Sequence, residues 1–521
     1  MLTSEQKERI DQLFKLWQRG LCPGGQVVIR HRDQLVYDRC FGYANVELEV
    51  PVTDETVFHV ASVSKQLAVM AIMLLHEDGR LHIDDDIRQH IPEQVNFPQP
   101  VTIRQLMNNV SGVRDIWTLS GFRGVRIDDT ITQPDAVRII SRQRGLNFEP
   151  GDRYMYSNSN FVYLAEIAEK VAGCSLTPFL QERVFAPLGM TSSCFRETYW
   201  QLIPKRATSY RDMGGGFAHN VLNYGSYGST SLHTTAKDFL KWMTTFRKPA
   251  ICKPETLQIM MTAPTLNDGK PSSYAGGLMV GELDGKKYVQ HGGSDASFRS
   301  FIMCFPEEEL DIVIFANTAN IPPGGAAFAI ARIFFGLPEP EAKPLERYVE
   351  AFDQAEAPGF YYSNPPEVAT VIITAKEGTL YLQDNYGQIP LQHSGGNKYT
   401  SETGPMALLL GATPALVMGN DETPLTKASS AGECSCYLQG YVGTYYNEEV
   451  DARYTVTEEE GLLYIDHFRH FKRRLYLYKR DHYITGGGAG SCVEFVRGSG
   501  GEVLGFKFHS GRVQNLGFTK Q

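Results

Sequence analysis

The chain has 521 residues, 42% of them apolar and 21% charged, with a formal net charge of −9. That length calls for two to four domains rather than one core, and the composition is that of a globular chain, not a disordered one. The negative charge argues against nucleic acid or an anionic membrane surface as the main partner, and no run of about 18 apolar residues is present to span a bilayer.

The opening segment, MLTSEQKERIDQLFKLWQRG, is polar and amphipathic. It lacks the apolar core and small-residue cleavage site of a secretory signal. Cytoplasm is the expected compartment, or the periplasm or exterior if a leader has been removed. The nine cysteines are odd in number and scattered; Cys434 and Cys436 form the only close pair, a weak metal or disulfide signal. All nine are read as reduced thiols.

Up to residue 340 the pattern alternates between strand and helix. GGQVVIRHRDQLVYDRCFGYAN (24–45) predicts a hairpin, and QLAVMAIMLLHEDG a buried helix closed by Gly79. NFVYLAEIAEKVAG (160–173) predicts a second helix, again ended by glycine, and KDFLKWMTTF (237–246) a third. KKYVQHGG, SFRSFIMCFP and LDIVIFAN predict three successive strands between 286 and 317. GLPEPEAKPLE (336–346) then reads as a linker.

Beyond it the chain turns to short strands and turns. GFYYSN at 359 recurs as GTYYNE at 443, and EGTLYL at 377 as EGLLYI at 460. An offset of this length is too long for a solenoid repeat and suits two small barrels. The expected organisation is therefore a mixed helix-and-strand domain over 1–340 and two all-β domains over 341–428 and 429–521. HFRHFKRR (467–474), with His467 and His470, reads as a strand and hairpin face without a completed metal set.

One stretch carries chemistry. In HVASVSKQLAVMAIMLLHEDG (59–79), Ser62 precedes Lys65 by one helical turn at the mouth of an apolar helix. A serine hydroxyl is a poor nucleophile until its proton is removed, and a desolvated lysine can assist. S-x-x-K alone is common, and a capping serine before a snorkelling lysine reads equally well. Two further segments fit the same chemistry: Tyr156-Ser157-Asn158, a phenol that can shuttle protons and an amide that can hold both Lys65 and a carbonyl, and His291-Gly292-Gly293, where glycines inside a strand mark close approach of another backbone.

These three segments, in this order, resemble the motifs of the penicillin-recognising serine hydrolases. The nearer likeness is to the class C β-lactamase and D-peptidase branch, with Y-x-N as second motif and H-x-G in place of K-T-G. QLMNNVSGVRD (105–115), FEPG (148–151), PLGM (187–190) and HGGS (291–294) fit as well, so the resemblance covers about 10–335. The layout of the whole chain is similar to the bacterial D-aminopeptidases, which carry two small β-barrels after the hydrolase domain.

The resemblance implies an α+β catalytic domain, with an antiparallel sheet flanked by helices plus a helical lobe, followed by two small barrels. It implies Ser62 as the nucleophile, Lys65 and Tyr156 sharing the proton work, Asn158 positioning substrate, and an oxyanion hole from the backbone N–H groups of Ser62 and Ser294. No metal or other cofactor is implied. His291 replaces the family's usual lysine, and a shorter, mostly neutral side chain should bind a free carboxylate less well. That favours peptides or amino-acid amides, with an N-terminal D-residue as one option. The alternatives are a broad esterase, a weak β-lactamase, or a penicillin-binding sensor without turnover.

An aminopeptidase needs a carboxylate at the rim for the substrate ammonium. Asp115 and Asp295, nearest the motifs in sequence, are the candidates, unless the last β unit supplies one. The glycine tract GGGAG at 486–490 is short where the D-aminopeptidases have a longer loop, which predicts a more open site. The β units have three readings: scaffold, lid, or the surface of a homodimer.

Overall fold

A computed structural model describes residues 2–126, 128–338, 352–363, 370–383, 388–401, 406–418, 421–428, 438–470, 472–485 and 491–521. Cys434, Cys436 and the glycine tract at 486–490 therefore lie outside the described residues, as does most of the linker. The chain forms two compact units: Met1–Ile116 with Arg126–Glu339, and Trp117–Val125 with Pro340–Gln521. Nothing in the sequence marks residues 117–125 as part of the second unit.

The first unit is built on a seven-stranded antiparallel sheet. Its strand order is Tyr274–Ala275, Leu278–Leu283, Lys286–Asp295, Phe298–Phe305, Leu310–Ala316, Gly25–His31 and Gln34–Phe41. The predicted hairpin near the N-terminus and the three serial strands are all present. They meet in the middle, where Gly25 pairs with Ala316 and His31 with Leu310. Alternation along the strands separates two apolar faces. Val27, Ile29, Ile312 and Ile314 share one core with Ile10, Phe14 and Trp17 near the N-terminus and Ile330 of the helix Pro323–Phe335. On the other face Phe315 meets Phe239 of the helix Ala236–Thr244, at 5.8 Å between rings.

The helix Lys65–Glu77 is buried from Lys65 to Leu75, so no single face is apolar. Apolar side chains all round mark a helix surrounded by protein. Trp242 donates to Gln66 Oε1 at 2.9 Å and ties it to the helix 236–244. Its end is the predicted Gly79, at φ 70°. Gly79 N–H reaches His76 O and Arg80 N–H reaches Leu75 O, the paired bonds of a Schellman cap. The helix Asn158–Ala172 also ends on a left-handed glycine, Gly173 at φ 73°, whose N–H makes a single bond to Glu169 O.

The second unit contains two antiparallel β assemblies. One is a nine-stranded sheet whose end strands, Asp421–Pro424 and Thr426–Lys427, are neighbours in the chain, so it is nearly closed. The other is a closed eight-stranded barrel over Gly443–Lys520. The repeat seen in the sequence is also a repeat of contacts. Tyr361 Oη donates to Ala357 O, and Tyr445 Oη to Tyr441 O. Gly359 and Gly443 lie at φ 155° and 151°, where an added Cβ would strike Lys427 and Lys520 respectively. The two assemblies meet within this unit through Phe360 and Tyr476, stacked at 4.0 Å.

Candidate active site

Ser62 lies in a 3₁₀ turn, Ala61–Ser64, that runs straight into the helix beginning at Lys65. The sequence spacing predicts a single α-helical stretch; the 3₁₀ turn does better, because residues i and i+3 eclipse in it. Lys65 Nζ thus sits 3.0 Å from Ser62 Oγ. The turn is held on both sides. Ser64 Oγ donates to Ala61 O at 2.5 Å and accepts Leu232 N–H at 3.0 Å. Ser300 Oγ donates to Val60 O at 2.7 Å. Ala61, at φ 47°, adopts a left-handed backbone that costs a non-glycine residue energy and persists only where surroundings enforce it.

Gly293 supplies part of that enforcement. A Cβ there would lie 2.2 Å from Ser300 Oγ and 2.3 Å from Val60 O. The His291 strand therefore approaches the Ser62 turn closely, as the glycines predict. Gly292 is less constrained, with the Phe301 ring 3.3 Å from its added Cβ. Ser294, the next residue along, is exposed.

Lys65 is fully buried. Its ammonium donates to Ser62 Oγ, to Asn158 Oδ1 at 2.9 Å and to Ser229 O at 2.5 Å. It also lies 4.9 Å from the centre of the Tyr156 ring, within cation–π range. A buried ammonium without such acceptors would be prohibitively desolvated. The Ser229 carbonyl is invisible to motif reading, since any residue could provide it.

Asn158 is oriented from behind. Asp115 Oδ2 accepts both Asn158 N–H at 2.7 Å and Asn158 Nδ2–H at 2.8 Å. The amide must therefore turn its oxygen to Lys65. This corrects the expectation for Asp115: it is wholly buried beneath the site rather than at its rim, and it holds Asn158 instead of facing a substrate ammonium. The Tyr156 loop is pegged likewise by Asn109, whose backbone carbonyl accepts Met155 N–H and whose Oδ1 accepts Ser157 N–H. Asn109 holds this loop in place, a role the motifs did not reveal: it lies within NNVSGVRD, but its partners Met155 and Ser157 are 46 and 48 residues away.

His291 stands near Tyr156, with ring centres 6.2 Å apart. Its Nδ1–H donates to Gly292 O at 2.6 Å, which leaves Nε2 to accept from Tyr274 Oη at 3.0 Å. Burial, reinforced by the Lys65 charge and opposed by the Gly292 carbonyl, lowers its pKa to about 3. His291 is thus a neutral ring with both nitrogens engaged. It presents no cation to a substrate carboxylate.

Asp295 is the partly open carboxylate, its side chain 19% exposed. Its Oδ2 is 3.0 Å from His59 Nε2 and accepts Thr230 Oγ1–H, and Tyr224 also bonds to the carboxyl. Burial alone would raise its pKa; His59, Thr230 and Tyr224 together hold it below the usual carboxylate range. The structure thus gathers Ser62, Lys65, Tyr156, Asn158 and His291 into one cluster, with Gly293 against its turn and Asp115 behind it. Among the described residues no group of His, Cys, Asp and Glu is arranged to hold a metal ion.

Comparison with known proteins bears on this arrangement. A D-aminopeptidase of Gluconobacter oxydans is 30% identical over 323 residues, spanning 61% of this chain and 60% of its own length. One from Brucella anthropi is 25% identical over 452 residues, 85% of this chain and 82% of that protein. Among solved structures, the octameric penicillin-binding protein homologue from Pyrococcus abyssi is similar at a TM-score of 0.58 and 20% identity, covering 91% of this chain and 100% of that one. A D-amino acid amidase from Ochrobactrum anthropi SV3 is similar at 0.54 and 20%, covering 64% and 99%. Residues 10–334 match the family described as Beta-lactamase, so the chain belongs to the beta-lactamase family.

Proposed function

We propose that the protein is a serine hydrolase that cleaves amide bonds of peptides or amino-acid amides through an acyl-enzyme on Ser62. The observation that carries this reading is the buried Lys65 ammonium, shared among Ser62 Oγ, Asn158 Oδ1 and Ser229 O. In the first step the Ser62 hydroxyl gives its proton to the Lys65–Tyr156 pair, which accepts it in the state where the two share one proton between them (ammonium with phenolate, or amine with phenol), as Oγ bonds to the carbonyl carbon. The developing oxyanion is met by the backbone N–H groups of Ser62 and Ser294, each such donor typically worth about 3–4 kcal/mol in the transition state. The C–N bond then breaks, the pair returns the proton to the leaving amine, and water attacks the acyl-enzyme by the same route.

The neutral His291 favours substrates without a free carboxylate beside the scissile bond. The ionised, partly open Asp295 suits the ammonium of an N-terminal residue. The D-aminopeptidase relatives point to a D-residue at that position. An ester of the same shape meets the same groups, so esterase activity is the second reading. The described cysteines are free, which fits a reducing compartment such as the cytoplasm. No helix among the described residues is long and apolar enough to cross a membrane.

The test is a matched panel on wild type and Ser62→Ala: D-alanyl anilide, its L-enantiomer, a short nitrophenyl ester and a chromogenic cephalosporin. Turnover of the D-anilide, lost in the variant, is expected. Ester turnover with neither anilide cleaved moves the assignment to esterase. No turnover of any member by folded wild type overturns the reading.

A further inference from the structure

One end of the eight-stranded barrel encloses a cavity of about 220 Å³, lined entirely by residues of the second unit. An eight-stranded barrel is just wide enough inside to hold one small ligand. The strand alternation that buries Tyr454, Ile465 and Phe508 also turns Arg473, Ser491 and Ser510 toward this end. The segment 117–125 covers it. Phe122 stacks on Phe508 at 4.7 Å, Tyr454 Oη donates to Phe122 O at 3.0 Å, and His470 Nε2–H donates to Gly121 O at 2.8 Å. Gly124, at φ 86°, lets this cover press on His467, whose Cε1 would be 2.1 Å from an added Cβ.

Four polar side chains of this cavity, His467, Arg473, Ser491 and Ser510, carry groups without partners among the described residues. His467 is 2% exposed, and its Nδ1 accepts Arg469 N–H at 3.3 Å, so in the neutral ring the proton sits on Nε2. That Nε2 has no hydrogen-bond partner. Burial, followed by the nearby His470, lowers the His467 pKa to about 4, keeping the ring a neutral donor. Ser491 and Ser510 are buried, with no side-chain hydrogen bond among the described residues. Arg473, half-buried, has neither a hydrogen bond nor a carboxylate partner among them, and no aspartate or glutamate is among the described residues that line the cavity. Buried polar groups are ordinarily satisfied, and an unsatisfied set converging on one space calls for a ligand.

We propose that this end of the barrel is a second ligand site, built for a small apolar monocarboxylate: the carboxylate on Arg473, His467 Nε2–H and the serine hydroxyls, the apolar body against Phe122, Tyr454 and Phe508. An amino acid fits less well, because no carboxylate is among the described residues that line the cavity to meet its ammonium. The inference does not rest on the hydrolase reading, since it uses none of the groups around Ser62.

The test is a ¹⁹F NMR titration of the full chain with 4-fluorobenzoate. Saturable binding is expected, weakened at least tenfold in Arg473→Gln and in His467→Leu, and unchanged in Ser62→Ala. The neutral 4-fluorobenzamide should bind at least tenfold more weakly. Circular dichroism of both barrel variants checks that they fold; if one does not, the other and the benzamide comparison still decide. No saturable binding, equal binding of benzamide, or loss in Ser62→Ala with retention in Arg473→Gln overturns the proposal.

Discussion

Two buried polar clusters in this chain are built to opposite rules. Around Lys65 the side chains fill one another's needs: three acceptors receive the ammonium, and Asn158 spends its oxygen on Lys65 and its nitrogen on Asp115. At the end of the barrel, His467 Nε2, Ser491, Ser510 and Arg473 are gathered without such closure. The first arrangement fixes the positions of the groups proposed to react before substrate arrives, which is what catalysis by preorganised groups requires. The second leaves donors waiting for a partner from outside. Mutations should therefore behave differently in the two places.

The largest effect is expected at the proposed nucleophile and its lysine. Ser62→Ala and Lys65→Ala should each lower kcat/KM by about 10⁴-fold or more, because groups acting as a unit fail together. Steady-state kinetics on whichever panel substrate is turned over would show it. A Lys65→Ala enzyme within tenfold of wild type would sink the assigned role.

Next comes the support behind Asn158. Asp115→Ala leaves two buried donors unpaired and should destabilise the protein by roughly 2–4 kcal/mol, at about 1–3 kcal/mol for each orphaned group with some relaxation. It should also lower kcat more than it raises KM, by about 10²-fold, as expected from a displaced positioning amide. Asp115→Asn keeps an acceptor and should recover part of both. A purely structural role would restore stability without restoring kcat.

A pH effect of intermediate size follows from His291. Its folded pKa, about 3, lies below the unfolded value of about 6.5. The stability it contributes is fully present above about pH 6.5 and is lost as pH falls toward 3. Denaturant melts of wild type and His291→Gln should diverge in slope across that window by at most one proton, or about 1.4 kcal/mol per pH unit. Parallel slopes would show that His291 is not held neutral by burial.

The smallest effects sharpen the contrast. Ser491→Ala and Ser510→Ala remove hydroxyls that bond to nothing among the described residues, so stability without ligand should change by no more than about 1 kcal/mol, toward greater stability if at all. A loss of 2 kcal/mol or more in chemical denaturation would mean that these hydroxyls are satisfied and that the two clusters do not differ.

What the sequence determined by itself was whatever local chain chemistry controls. The buried helix after Lys65, its glycine end at Gly79, the hairpin at 24–45, the three serial strands and the duplication of the β units all follow from periodicity, caps and turns. Ser62 and Lys65 are close because they are three residues apart in one helical turn, and the ordered motifs pointed to Tyr156, Asn158 and His291. Tertiary structure decided the rest. Asp115 went beneath Asn158 across 43 residues, and the Ser229 carbonyl reached Lys65 across 164. Tyr274 took up the free nitrogen of His291. Residues 117–125 joined the barrel more than 300 residues onward, where Phe122 O meets Tyr454. A carboxylate, a carbonyl or a phenol carries no mark in the sequence of which distant donor it will meet. Packing makes that choice, once the sheets and helices have fixed where the loops must run.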